Sequence, residues 1–353
     1  MNEPHDLQNV DTPPLTDDGS TWFSRLRETT VFWMALILFG LIVLFSMISP
    51  NHAFLSVNNF FNIALNASQL VLMAVGMTFL LGAREFDLSI GANLVLSSIL
   101  AAKTITSLAG TPDEVAMGEY PHLPLALTAG ILVALITGTL FGIINGLLVT
   151  KLKLSSFLVT LATTAIGLGT ALVITHGANV PNIPRVLQTS FATYRLFDVV
   201  PLPVILSLAI VLLLWFVMAQ TRFGIHTLAL GSSPDASRRA GINNGRHLIS
   251  LFAMMGFICG IAAMLDISRF ATTNIGGHQT DNLQAVAAAV IGGTSLFGGM
   301  ASIPGTLIGT MIPVVLGTGL VIMGLDSFYQ LIVVGLIVIA AVYIDQHNRQ
   351  RNH

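Results

Sequence analysis

At 353 residues, 54% hydrophobic and 9% charged, with a mean hydropathy of +0.80, the chain excludes a soluble domain and reads as a polytopic membrane protein. Several runs reach the roughly 20 apolar residues that cross a bilayer core. The net charge is −2, and the 1 cysteine, Cys259 in an apolar run, excludes an internal disulfide framework and a thiolate metal site; no nucleic-acid partner is expected.

Residues 1–30 are expected to form a disordered cytoplasmic tail. Glu3, Asp6, Asp11, Asp17 and Asp18 precede any Lys or Arg and surround Pro13-Pro14, unlike the basic start of a signal peptide. A membrane domain follows at 31–345 and a cytoplasmic C-terminal tail at 346–353. Ten spans can be drawn, at 31–48, 60–81, 88–103, 123–150, 157–175, 204–219, 248–267, 283–291, 303–322 and 328–344. The third is marginal and the eighth is too short to cross alone. Short Gly-interrupted segments of that kind mark broken helices, tolerated where protein or a cavity covers the backbone.

Threading these spans from an inside N-terminus puts Arg25, Arg27, Arg84, Lys151, Lys153, Arg222, Arg238, Arg239, Arg246, Arg349 and Arg351 in the cytoplasm. Lys103, Arg185, Arg195 and Arg269 fall outside. That asymmetry obeys the positive-inside rule with both termini cytoplasmic. Gly138-Thr139-Leu140 with Gly142 in the fourth span recurs as Gly305-Thr306-Leu307 with Gly309 in the ninth. The odd offset gives the copies opposite orientations, as in inverted-repeat transporters.

Between the sixth and seventh spans lies the one sizeable polar stretch, 221–248, carrying Arg222, Arg238, Arg239 and Arg246. Ser232-Ser233-Pro234 reads as a helix start, and Asp235 then sits in the first turn, where the dipole favours an anion. Gly241 is placed to end the helix. Composition leaves two readings open: an ordinary positive-inside loop, or a short helix presented to a cytoplasmic partner.

Asp235-Ala236-Ser237, three residues and then Gly241 resembles the EAA-type loop of ABC importer permeases, with Asp for Glu and Ser for the second Ala. Further matches follow in order. They are Val75-Gly76-Met77-Thr78-Phe79, Asp87-Leu88-Ser89 with Gly91, Asn145-Gly146, Ala240-Gly241-Ile242-Asn243, and the run from Ala285-Val286-Ala287 through Gly292-Gly293 to Gly298-Gly299 and Gly305-Thr306. Residues 60–344 thus resemble permeases of ribose-type (monosaccharide) ABC importers. The resemblance implies an all-α fold similar to the vitamin B12 importer, with about ten transmembrane helices, inverted repeats and broken helices. It implies an inner-membrane permease dimer, alone or with a paralogue, working with a periplasmic sugar-binding protein. A cytoplasmic ATPase would hold the ATP and Mg and receive a coupling helix made of Ser233, Asp235, Ala236, Arg238, Arg239 and Gly241. The departures are Arg84 and Glu85 for two glycines, Asn282 and Gln284 at acidic positions, and Ser155-Ser156 for Pro-Pro. They detach the substrate's identity from that of the best-known members.

The residues also carry expectations of their own. None of the lysines follows a glycine, so the chain has no Walker A loop and is expected to hydrolyse no ATP: it is not an enzyme. Gly292, Gly293, Gly298 and Gly299 permit a tight re-entrant turn and close backbone approach. Asp87 reads either as an N-cap or as a carboxylate bordering a pathway. Arg84 and Glu85 read as a solvated pair, Asp266 and Arg269 as a helix-surface ion pair, and Asp281 as a cap of the eighth span. The His residues include no metal-ligand pair, so no metal is assigned. Asn66, Gln69, Asn93 and Asn145 serve either as interhelical hydrogen-bonders or as a polar lining for a hydroxylated solute. The expected function is a sugar or polyol importer permease. Its rivals are an ion-coupled secondary carrier, which mid-membrane carboxylates would favour although every Asp and Glu falls near a span end or in a loop, and a purely structural membrane subunit.

Overall fold

The computed structural model describes residues 30–325 and scattered positions between 329 and 343. The expected tails, up to residue 29 and from 346 on, and more than half of the tenth span, 328–344, lie outside the described residues. In chain order the helices are α1 (Thr30–Ile48), α2 (Val57–Gly82), α3 (Ile90–Leu108), α4 (Pro112–Met117), α5 (Leu123–Lys151) and α6 (Ser156–Thr175). They continue with α7 (Leu202–Gln220), α8 (Arg222–Ser232), α9 (Pro234–Arg239), α10 (Asn244–Phe270), α11 (Asp281–Ile291) and α12 (Ile303–Ile322). Among the described residues, 8 of these are long and apolar enough to cross a membrane: α1, α2, α3, α5, α6, α7, α10 and α12. The expected eighth span is the 11-residue α11, about 16 Å long and about half a bilayer core. The described residues are all-α apart from a two-residue antiparallel pairing, Arg195–Leu196 with Val200–Pro201.

Local sequence sets the helix ends. Ser56, Thr111, Thr221, Ser233, Asn243 and Ser302 each accept a backbone N–H of the first turn of the helix that follows. At α4 the cap is reciprocal, and the backbone N–H and hydroxyl of Thr111 hold the exposed Glu114 carboxyl below its ordinary range.

The core is built on α2, α3 and α10, whose most apolar stretches are 78%, 72% and 61% buried, whereas α1 is 6% buried and packs at the periphery through Phe45 against Gly319. Small residues bring two helix pairs into backbone contact. On α5, Gly138 and Gly142 lie against the backbone of Gly256 and Phe252 on α10. On α12, Gly305 and Gly309 lie against Gly292 and Ala288. Both copies of the Gly-Thr-Leu repeat therefore sit at close-packed seams, where any side chain would hold the backbones apart.

The chain between α2 and α3 is more than a turn. Arg84 has a φ of +65°, after which the Phe86 N–H donates to Ser156 Oγ at 3.2 Å. The Leu88 carbonyl then accepts from Thr164, about two turns further along α6, at 3.1 Å, and from Asn282 on α11 at 3.1 Å. Gly91 then meets the backbone of His278. Residues 83–89 climb back into the bundle, so α3 starts inside it, face to face with the start of the half-length α11.

Candidate functional site

Three polar regions lie along the bundle. At one end, α8 and α9 follow α7. One face of α8 is buried: Thr227 Oγ1 lies 2.9 Å from His247 Nε2, and the Phe223 ring centroid lies 4.7 Å from that of His247. Gly231 at its end rests on the backbone of Gly82 and Gly299, and the Gly299 N–H donates to the Gly82 carbonyl at 2.9 Å. The ends of α2, α8 and the 292–302 turn thus meet at one point.

Helix α9 follows at once. Ser233 Oγ accepts from the Ala236 N–H at 3.3 Å, Asp235 occupies the first turn, and Arg238 and Arg239 occupy the last, where the dipole favours cations. Gly241 has a φ of +85° and its N–H donates to the Arg238 carbonyl at 3.0 Å. Ser237 alone turns inward: its hydroxyl donates to Asn244 Oδ1 at 3.0 Å, while Asn244 Nδ2 donates to the Pro234 carbonyl at 2.8 Å. Asp235, Ala236, Arg238, Arg239 and Gly241 are exposed. The result is a short helix pinned to α10 by its base, with a charged outer face and no neighbour over it among the described residues.

The re-entrant turn brings the four expected glycines together. Gly292 packs on the Gly305–Thr306 backbone, and Gly293, Gly298 and Gly299 take φ values of +92°, +80° and +81°, open to glycine at little cost. Beside it, Thr78 Oγ1 on α2 lies 2.7 Å from Thr306 Oγ1 on α12, both fully buried.

The second region is a buried relay between α3 and α5. Asn145 Nδ2 donates to Ser89 Oγ at 2.8 Å, and the Ser89 hydroxyl and N–H donate to Asp87 Oδ1 at 2.5 and 2.8 Å. Asn93 Nδ2 donates to the Gly138 carbonyl at 3.1 Å, and Asn93 Oδ1 accepts from Ser97 Oγ at 3.2 Å. These contacts bear on two pairs of readings left open by the sequence. Asp87 does not cap a helix, because α3 begins at Ile90 and the carboxylate bonds within the climbing loop. Asn93 and Asn145 are buried and line neither of the two cavities described below; their amides hold α3 to its neighbours. Asn93→Leu and Asn145→Leu are therefore expected to lower the amount and melting temperature of folded protein by about 1–3 kcal/mol of stability each. Size-exclusion yield and thermal unfolding in detergent check this. Normal yield with lost uptake would return the two amides to the pathway.

The third region is a cavity of about 490 Å³ at the other end of the bundle. Asn62, Asn66 and Gln69 of α2, Asp266 and Arg269 of α10, and His278, Asp281 and Gln284 of the following segment face it. Asn66 and Gln69 are thus brought together there, while Asp87, Asn93 and Asn145 are not. Arg269 does not pair with Asp266. Its Nη1 donates to Asn66 Oδ1 on α2 at 2.6 Å, and its carbonyl accepts from Gln188 Nε2, in the segment between α6 and α7, at 2.7 Å. Asp266 instead faces His278, with Oδ1 3.2 Å from Nε2, and Asp281 Oδ2 lies 2.8 Å from Nδ1 of the same ring. Asp281 is thus no cap either: α11 starts at Asp281 itself. Arg84 and Glu85 do not form a solvated pair. Arg84 is exposed, but Glu85 is half-buried, and burial pushes its carboxyl up against the pull of Ser156 and Arg84. A carboxylate near a span end need not be solvated, as Asp87 and Asp266 at 1% and 0% exposure show.

Comparison with known proteins agrees with this architecture. Residues 59–342 match the family described as "Branched-chain amino acid transport system / permease component". The ribose import permease protein RbsC of Haemophilus influenzae is 32% identical over 317 residues, covering 89% of this chain and 92% of the relative. The D-allose transport system permease protein AlsC of Escherichia coli K12 is 34% identical, covering 90% of each. The galactose/methyl galactoside import permease protein MglC of Haemophilus influenzae is 29% identical, covering 92% of this chain and 95% of the relative. No solved structure matches the chain. With the family model spanning the membrane region and relatives above 30% identity aligned nearly end to end, this chain belongs to the family of transport-system permease components.

Proposed function

We propose that the chain is the permease subunit of a binding-protein-dependent ABC importer for a sugar or polyol, working by ATP-driven alternating access. The observation that carries this reading is α9: a capped, exposed basic helix whose base is tied to α10 and whose predecessor, α8, touches Gly82 and Gly299. A cytoplasmic ATPase gripping Arg238 and Arg239 would pull on α10 directly and on the 292–302 turn through Gly231. Those elements end at the half-helix α11 and the climbing segment 83–89, the two breaks in the bundle. The ATP and Mg belong to that ATPase. A periplasmic sugar-binding protein would deliver the solute, and a second permease copy or a paralogue would complete the inner-membrane assembly. The relatives named for ribose, allose and galactose import favour a monosaccharide, and they lend no support to an ion-coupled carrier. Pull-down of the tagged chain from native membranes should retain an ATPase subunit; a chain that purifies alone yet transports would overturn the reading.

The same reading fixes orientation, with His122 and Thr189 periplasmic and Ser233 cytoplasmic. The first two lie with the ends of α3 and α10, where the His122 N–H donates to the Ala109 carbonyl and Gln188 bonds Arg269. Cys259 is fully buried and should not label. In a Cys259→Ser background, His122→Cys and Thr189→Cys should react with an impermeant thiol reagent in sealed cells, and Ser233→Cys should not. Labelling of Ser233→Cys from outside would reverse the orientation.

A further inference from the structure

The cavity between α2, α10 and α12 contains a group that the packing leaves incomplete. Asp266 is fully buried, yet among the described residues neither of its carboxylate oxygens has a hydrogen-bond donor, and His278 Nε2 also lacks a hydrogen-bond partner. The 3.2 Å contact between them brings charges together without the alignment of a hydrogen bond. Burying a carboxylate with no donors is costly unless something else supplies them. The space beside it, about 490 Å³, is within the range of small-molecule sites.

We propose that this cavity is a monosaccharide-binding site within a single copy of the chain, in which Asp266 accepts hydrogen bonds from neighbouring sugar hydroxyls. The rest of the wall fits that ligand class. Asn62, Gln69, Asn274 and Gln284 present amides, which donate and accept as hydroxyls do. Arg269 and His278 stand against Asp266 and Asp281, so the cations and carboxylates are matched and a neutral ligand is favoured over an ion. Leu70, Met73 and Val314 give an apolar side for the C–H face of a pyranose or furanose. The second cavity, about 630 Å³ beside Lys103, Thr106 and Asn179, contains none of the buried unpartnered groups. The site rests on the sugar-importer reading and deepens it, because it places a solute inside the subunit at the end where solute would arrive.

The test is equilibrium dialysis of the full-length permease in lipid nanodiscs, without binding protein, against radiolabelled D-ribose, D-allose, D-fructose, D-galactose and L-leucine. At least one sugar should bind saturably. Asp266→Asn, which replaces an acceptor by a donor, should weaken that binding about tenfold or more, the loss of a hydrogen bond to a charged group. Gln69→Ala should weaken it severalfold, and Thr106→Ala in the other cavity should not change it. Among the described residues the Gln69 side chain makes no hydrogen bond, so its variant decides the matter if Asp266→Asn does not fold. No saturable sugar binding, or binding indifferent to both substitutions, overturns the site. If the complete importer still carries a sugar with ATP in that case, the transport reading stands without it. Binding and ATP-driven uptake of leucine alone would overturn both.

Discussion

Gly142→Leu is expected to abolish the folded permease. On α5, Gly142 faces the Phe252 carbonyl and Gly256, and one turn away Gly138 faces Gly256 and Gly260, so α5 and α10 approach backbone to backbone. A leucine there has no flexible neighbour to displace, because the atoms in its way are main-chain atoms of a core helix. Overpacking ordinarily costs about 1–3 kcal/mol, and separating two core helices exceeds that range. Gly169→Leu supplies the control, since nothing lies within 4 Å of a Cβ at Gly169. In detergent, Gly142→Leu should elute as aggregate or fail to accumulate, and Gly169→Leu should elute and melt as the parent does. A monodisperse Gly142→Leu protein with an unchanged melting temperature would mean that the α5–α10 seam is looser than described.

Substitutions on α9 are expected to do the reverse, sparing the fold and removing transport. Arg239 is exposed in the last turn, and Gly241 follows with a φ of +85° and nothing within 4 Å of a Cβ. Gly241→Val meets no neighbour, so its cost is conformational: a left-handed φ is open to glycine and poor for a β-branched residue. Gly241→Asn, which tolerates that region, should retain most activity. Arg239→Glu replaces a cation able to bond a carboxylate on the ATPase by an anion that repels it. Both Gly241→Val and Arg239→Glu should insert at parental levels while ATP-driven uptake and solute-stimulated ATP hydrolysis fall together, by about tenfold or more. Full activity in both variants would make α9 an ordinary loop.

What the sequence disclosed follows from the range of the forces involved. The long spans were legible because a bilayer demands about 20 apolar residues in a row, and that is a local property. The ends of α9 were legible for the same reason, since Ser233, Pro234 and Gly241 act within one turn. Helix α8 was read as part of a polar loop because its buried face, through Phe223 and Thr227, depends on α2 and on His247. The climb of residues 83–89 depends on Ser156, Thr164 and Asn282, none of them near in sequence. The amides show the limit most clearly. Asn66 and Asn145 are the same residue type in similar apolar runs, yet one reaches Arg269 at the cavity, 203 residues away, and the other is sealed against Ser89. Asp266 was matched to Arg269 by helical spacing, but the partner that faces it comes from the next segment.

The most direct measurement is uptake into proteoliposomes containing the permease, its ATPase and its binding protein. ATP enclosed with the ATPase should drive accumulation of ribose, allose, fructose or galactose, abolished by Arg239→Glu and independent of any ion gradient. Accumulation driven by a proton or sodium gradient without ATP, or of leucine in place of every sugar, would contradict the account.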